Sequence, residues 1–346
     1  MNQSPRNVTW HVVAAILYAA FAVYLYWPHF DGFTGWEWLL PGNACAAAFG
    51  GYILSRRWVA GFTGSLVAGL VYGFGPFLLG LGKFHPSASL LAAGVPWLFV
   101  PAAFLERKQG KWLGLPLWLL PFAVIAFFFY LSAGCRLFAA PLQANVRPLD
   151  LAGFIAPLAL IGRSTVLLGV YHVPVAALAL GLAMIWKARR YGILLIAAAG
   201  FLLAFSKSFL DAGKIAWLGV SPILWLSIPM VWCAVLSGIG LHGLIEAGPA
   251  DKKWILTAAI LLGILAIVTL LLAAKCSQVF LGLGDSDGRL FLQTAEVYFI
   301  GAVATGIIFF LTRQNLRLHW LRWTILCTAL GIDIILSARY IVDNVL

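Results

Sequence analysis

Few side chains in this chain could do chemistry, and they fall into small groups. Asp31 follows a long apolar run in the turn Pro28-His29-Phe30-Asp31-Gly32. A carboxylate there, with His29 beside it, reads either as a solvated turn residue or as an acid or base at a membrane surface. Lys83 and His85 make a polar tip just before Pro86. That tip is either a snorkelling cation with an interfacial imidazole, or a contact to a phosphate at a helix N-terminus. Lys207, Asp211 and Lys214 stand at i, i+4 and i+7, on one face of a helix end, and read as an internal ion-pair network or as a binding site. Arg163 brackets the apolar run from Leu151 to Ile161. Asp333 sits among Ile332, Ile334 and Ile335, where a carboxylate must be protonated or matched by a partner. A structural partner on a neighbouring helix and proton transfer are its two readings.

Other polar groups carry weaker signals. Gly284-Asp285-Ser286-Asp287-Gly288 resembles the start of a calcium loop but lacks the third oxygen ligand and the distal glutamate, so a polar turn is expected and no metal site is assigned. The five cysteines are far apart with no CxxC spacing. His11, His172 and His242 lie inside apolar runs; His11 and His242 share a depth, as a haem pair would require, but no paired motif supports it. No cofactor is assigned.

The elements that must position these groups are set by composition. With 346 residues, 62% hydrophobic and only 10% charged, the chain cannot cover itself with a soluble surface, which takes about a quarter charged residues. Its mean hydropathy is +0.96. The apolar runs are roughly 18 to 24 residues long, enough to cross about 30 Å of hydrocarbon as helix. They do not alternate as barrel strands do. The expectation is an all-α, polytopic transmembrane helical bundle of about eleven spans forming a single membrane domain over residues 1–346.

The net charge of +11 is spread over short turns, and so points to membrane topology and anionic lipid rather than to nucleic acid. Arg56-Arg57, Glu106-Arg107-Lys108, Lys187 to Arg190, Lys252-Lys253 and Arg313 to Arg322 recur at alternate turns. The positive-inside rule then puts the N-terminus in the cytoplasm. The segment from Arg56 to Lys111 reads as one hairpin with basic ends and a His-Pro tip. Asp31, His85, Asp150, Asp211, Asp285 and Asp287 fall on the other side, so chemistry is expected to face outward. The run from Leu151 to Ile161 is too short to cross and is expected to lie in the interface or re-enter the bundle.

The passage GGYILSRRWVAGFTGSLVAGLVYGFGPFLLGLGKFHPSASLLAAGVPW, Gly50 to Trp97, resembles a recurring block in bacterial membrane glycosyltransferases of the GT-C class, especially the YfhO-like group. There a helix ends in Arg-Arg, the next ends in an aromatic-x-Pro-Phe turn, and a Pro-containing helix returns after a His. The likeness continues loosely through Gly169 to Arg190 and Ser227 to Lys253. It implies a bacterial inner-membrane enzyme that moves a sugar from a polyprenyl-phosphate donor at the outer face. Asp31 matches the acidic residue of the first outer loop, and Lys83, His85 or Arg163 would hold the lipid phosphate. That loop normally carries additional helices, whereas barely a dozen residues separate the first two spans here. The resemblance therefore also allows a non-catalytic subunit or scaffold of a larger membrane complex, with protein partners; a proton-coupled transporter using Asp333 is the third reading.

Overall fold

The computed structural model describes residues 5–59, 61–84, 86–109, 111–135, 181, 191–213, 222–279, 286–314 and 318–345. Among them the only regular structure is helical. The α-helices are α1 (Pro5–Tyr26), α2 (Leu39–Ser55), α3 (Phe62–Gly73), α4 (Pro76–Phe84), α5 (Pro86–Gln109), α6 (Lys111–Cys135), α7 (Tyr191–Gly213), α8 (Pro222–Ile245), α9 (Lys252–Val279), α10 (Ser286–Arg313) and α11 (His319–Val345). Seven segments among the described residues are long and apolar enough to cross a membrane. Shorter apolar helical stretches run over Pro116–Phe128 in α6 and Tyr191–Phe205 in α7.

The helix ends sort onto two faces. At one, Arg57 Nε at the end of α2 donates to the Ala103 carbonyl near the end of α5 (2.8 Å), and Trp323 at the start of α11 donates to Thr63 Oγ1 at the start of α3 (2.8 Å). Arg322 Nη1 reaches the Ala247 carbonyl, just past α8, on the same face (2.6 Å). At the other face, Asn43 Nδ2 at the start of α2 donates to Ser89 Oγ at the start of α5 (2.6 Å). Among these helices, successive crossings therefore run antiparallel. Arg56, Arg57, Arg107, Lys108, Lys111, Lys252, Lys253 and Arg313 lie at or next to helix ends on the first face, which we call the basic face.

The centre is α8, whose side chains are buried from Leu224 through Leu241. Helices α3, α5, α6 and α7 pack around it. With no hydrophobic drive between helices inside lipid, close approach has to come from small residues. A Cβ on Gly64 of α3 would stand 2.7 Å from the Gly238 carbonyl oxygen of α8, so this crossing admits only glycine. Around Trp232 the rings of Trp58, Phe99 and Trp118 pack with centroids 5.2–5.8 Å away.

The span expected after Arg57 is broken. Phe74 N–H still bonds to the Leu70 carbonyl (2.9 Å), but Pro76 has no N–H to continue the ladder, and a new helix begins with Leu79 N–H on the Gly75 carbonyl (3.2 Å). The Gly73-Phe74-Gly75-Pro76 run thus ends α3 and starts α4 within one crossing. Proline acts differently in α5. Pro96 removes the donor that the Ala92 carbonyl would have in a regular helix, and Tyr72 Oη of α3 supplies one instead (2.5 Å). Both groups are buried, and the bond ties α3 to α5.

The region from Leu151 to Ile161 lies outside the described residues, as do residues 280–285. Ser286, Asp287 and Gly288 form the first turn of α10, not a loop, and the described residues contain no cluster of metal-ligating side chains.

Candidate functional site on the face opposite the arginine pair

Two short 3-10 turns, Trp27–Gly32 and Gly35–Trp38, make the whole connection between α1 and α2. Pro28 sits at the start of the first turn, where its missing N–H costs nothing, and Phe33 N–H closes it on the Phe30 carbonyl (3.2 Å). Gly35 takes a positive φ of 71°, the conformation that turns the chain toward the second. There Glu37 accepts a hydrogen bond from Thr34 N–H (2.8 Å). Aromatic rings fill the turn: Phe30 stacks on Trp38 (5.2 Å, 19°), and Phe33 meets both edge-on (5.5 and 5.4 Å). Such offset and T-shaped pairs add stability beyond their burial and fix the turn's shape.

Asp31 projects from this ordered turn, exposed, and makes no hydrogen bond to any described residue. His29 does not serve it. The imidazole Nε2 lies 3.1 Å from Asp343 Oδ1 near the end of α11, and Arg339 Nε donates to the other oxygen of that carboxylate (3.3 Å). The imidazole instead joins the first turn to the last helix. The reason is geometric: α1 and α11 pack together, and both end on this face. Exposed Trp27 and Trp38 flank the turn beside the Asp31 carboxylate. A carboxylate so placed can accept a proton from a hydroxyl.

Of the other residues singled out by sequence, Lys83 ends α4 on the same face as Asp31. Its side chain, and those of Lys207 and Asp211 in α7, are not among those described; His85, Arg163 and Lys214 lie outside the described residues altogether. Asp333 is described. It is buried, 7% exposed, near the middle of α11. Ser337, one turn on, donates its hydroxyl to the Asp333 carbonyl and stands 3.5 Å from Oδ1. Buried Tyr298 of α10 is within reach of its charge. The pair His11 and His242 take different neighbours: His11 lies edge-on to Tyr52 (5.6 Å), and His242 lies against Gly61.

The role of Asp343 as the partner of His29 had no local signal, since 314 residues separate the two. Their common face was the only clue. Compared with known family models, with curated proteins and with solved structures, the chain matches none.

Proposed function

We propose that this chain is a multi-pass inner-membrane protein with its basic face in the cytoplasm, and that it transfers a sugar from a polyprenyl-phosphate donor at the opposite, outward face. Asp31 takes the proton of the acceptor hydroxyl as that oxygen attacks the anomeric carbon. The bond from that carbon to the phosphate oxygen breaks, and polyprenyl phosphate leaves. Lys83, His85 or Arg163 would hold the phosphate. The observation that carries this reading is the exposed Asp31 carboxylate, fixed in an aromatic turn and uncommitted to any described residue. The alternation of basic and non-basic helix ends supports the orientation.

The test is transfer from lipid-linked sugars, extracted from bacterial membranes, by the purified chain in lipid nanodiscs. A positioned general base contributes about 10²- to 10⁴-fold. Asp31→Asn should therefore lower transfer at least about 100-fold. Undiminished transfer would overturn the assignment.

One feature favours a second reading. GT-C enzymes carry helices in their first outer loop, whereas two 3-10 turns fill it here. A non-catalytic subunit that keeps the bundle and has lost the loop fits that shortening. No transfer with any donor, together with stoichiometric co-purification of one membrane protein, would establish it.

A further inference from the structure

The bridge from His29 to Asp343 spans nearly the whole sequence and lands two residues from Asp31. It is made by an imidazole, which can donate to a carboxylate whether neutral or protonated. We infer that Asp343, held by Arg339, is a positioning residue that latches the Asp31 turn to the last helix, and that the latch tightens when His29 is protonated. The positioning role rests on the reading of Asp31 proposed above; the bridge itself does not.

The turn has an anchor at each end of its backbone, α1 and α2, and its rings pack on one another. Within it, the side chain that reaches across to α11 is His29. Asp343 presents one oxygen to His29 and the other to Arg339, which stands one turn earlier on α11. The carboxylate is thus oriented from its own helix before it grips the turn. A neutral imidazole with its proton on Nε2 can donate to Asp343, and the imidazolium adds charge attraction to the same contact. Among the described side chains, two other charged groups belong to the connection between α1 and α2. Asp31 lies on the same turn, and Glu37 of the second turn is engaged by Thr34 N–H. Lys83 ends α4 on this face. The bridge is half-exposed, with Asp343 at 43% and His29 at 21%, so its effect is modest and sensitive to the medium.

Hydrogen exchange of the full chain in nanodiscs, followed on peptides covering residues 27–38 and corrected for intrinsic rates, reads the latch without any enzymatic assay. Protection should be about two- to fivefold greater at pH 5.5 than at pH 7.5, the scale of one half-exposed ion pair. His29→Ala should lower protection at both pH values. Asp343→Asn keeps an acceptor and removes the charge, so it should abolish the pH difference. His29→Gln keeps a donor that does not titrate and should do the same. Wild-type protection in His29→Ala at both pH values would overturn the latch. Protection that responds as expected while Asp31→Asn leaves transfer intact would keep the latch and remove the catalytic reading. Unchanged protection with transfer lost in Asp31→Asn would do the reverse.

Discussion

A carboxylate near the middle of a helix that crosses hydrocarbon persists only where other groups share its charge or its proton. Asp333 lies buried in α11, with the Ser337 hydroxyl of the same helix 3.5 Å from its carboxylate. The sequence marks Asp333 plainly, as a lone acid among isoleucines. It does not say what answers it, because Ser337 is one of several hydroxyls in reach and Tyr298 becomes a neighbour only when α10 packs on α11. Asp333→Asn keeps an acceptor for Ser337 and should leave the thermal midpoint in detergent near that of the wild type. Asp333→Leu removes the side-chain oxygens, while Ser337 keeps the residue-333 carbonyl, and should destabilise by about 1 to 3 kcal/mol, the cost of stranding the buried groups that meet the carboxylate. If Asn instead abolished a pH-dependent transport activity with the midpoint unchanged, Asp333 would be a proton carrier and the transporter reading would lead.

Proline decides much at the scale of the element. Pro76 divides one crossing into α3 and α4, and Pro96 leaves a carbonyl in α5 for another helix to satisfy. The sequence makes the crossing and its Gly-Phe-Gly-Pro run visible, since composition and proline position are local. It cannot reveal that Tyr72 pairs with Ala92, because that bond depends on the register of α3 against α5. The ring packing of Phe49 on Trp97 and the bond from Trp97 to the Ala46 carbonyl lock α2 on α5, and α2 in turn packs along α3. The bond itself makes a prediction with a built-in control. Tyr72→Phe should cost about 1 to 3 kcal/mol, because a buried carbonyl loses its donor. Pro96→Ala restores a backbone N–H to that carbonyl, so in its background the cost of Tyr72→Phe should shrink by more than half. Equal costs in both backgrounds, measured by thermal unfolding in the same detergent, would mean that Tyr72 matters for its volume and not for its hydroxyl.

For the whole molecule, two independent lines agree on how the described helices alternate. The first is charge: arginine and lysine return at every second turn. The second is contact: Arg57 with Ala103 and Trp323 with Thr63 join ends on the basic face, while Asn43 with Ser89 and His29 with Asp343 join ends on the other. None of these contacts was used to place the charges, so the agreement tests the antiparallel order. The alternation of the described helices was legible because it is written in short turns next to each span. The bundle's closure was not, since the first turn meets the last helix through residues far apart in the chain. Topology reporters placed at Gly110, between α5 and α6, and at Gly284, just before α10, should report opposite sides of the membrane. The end of α5 that precedes Gly110 carries Arg107 and Lys108, the kind of basic end expected in the cytoplasm. The start of α10, just after Gly284 in sequence, is one crossing beyond the start of α9 at Lys252 and Lys253. A reporter active only in the cytoplasm should work at Gly110 and fail at Gly284. The same side for both would break the alternation that places Asp31 outside, and the outward site would fall with it.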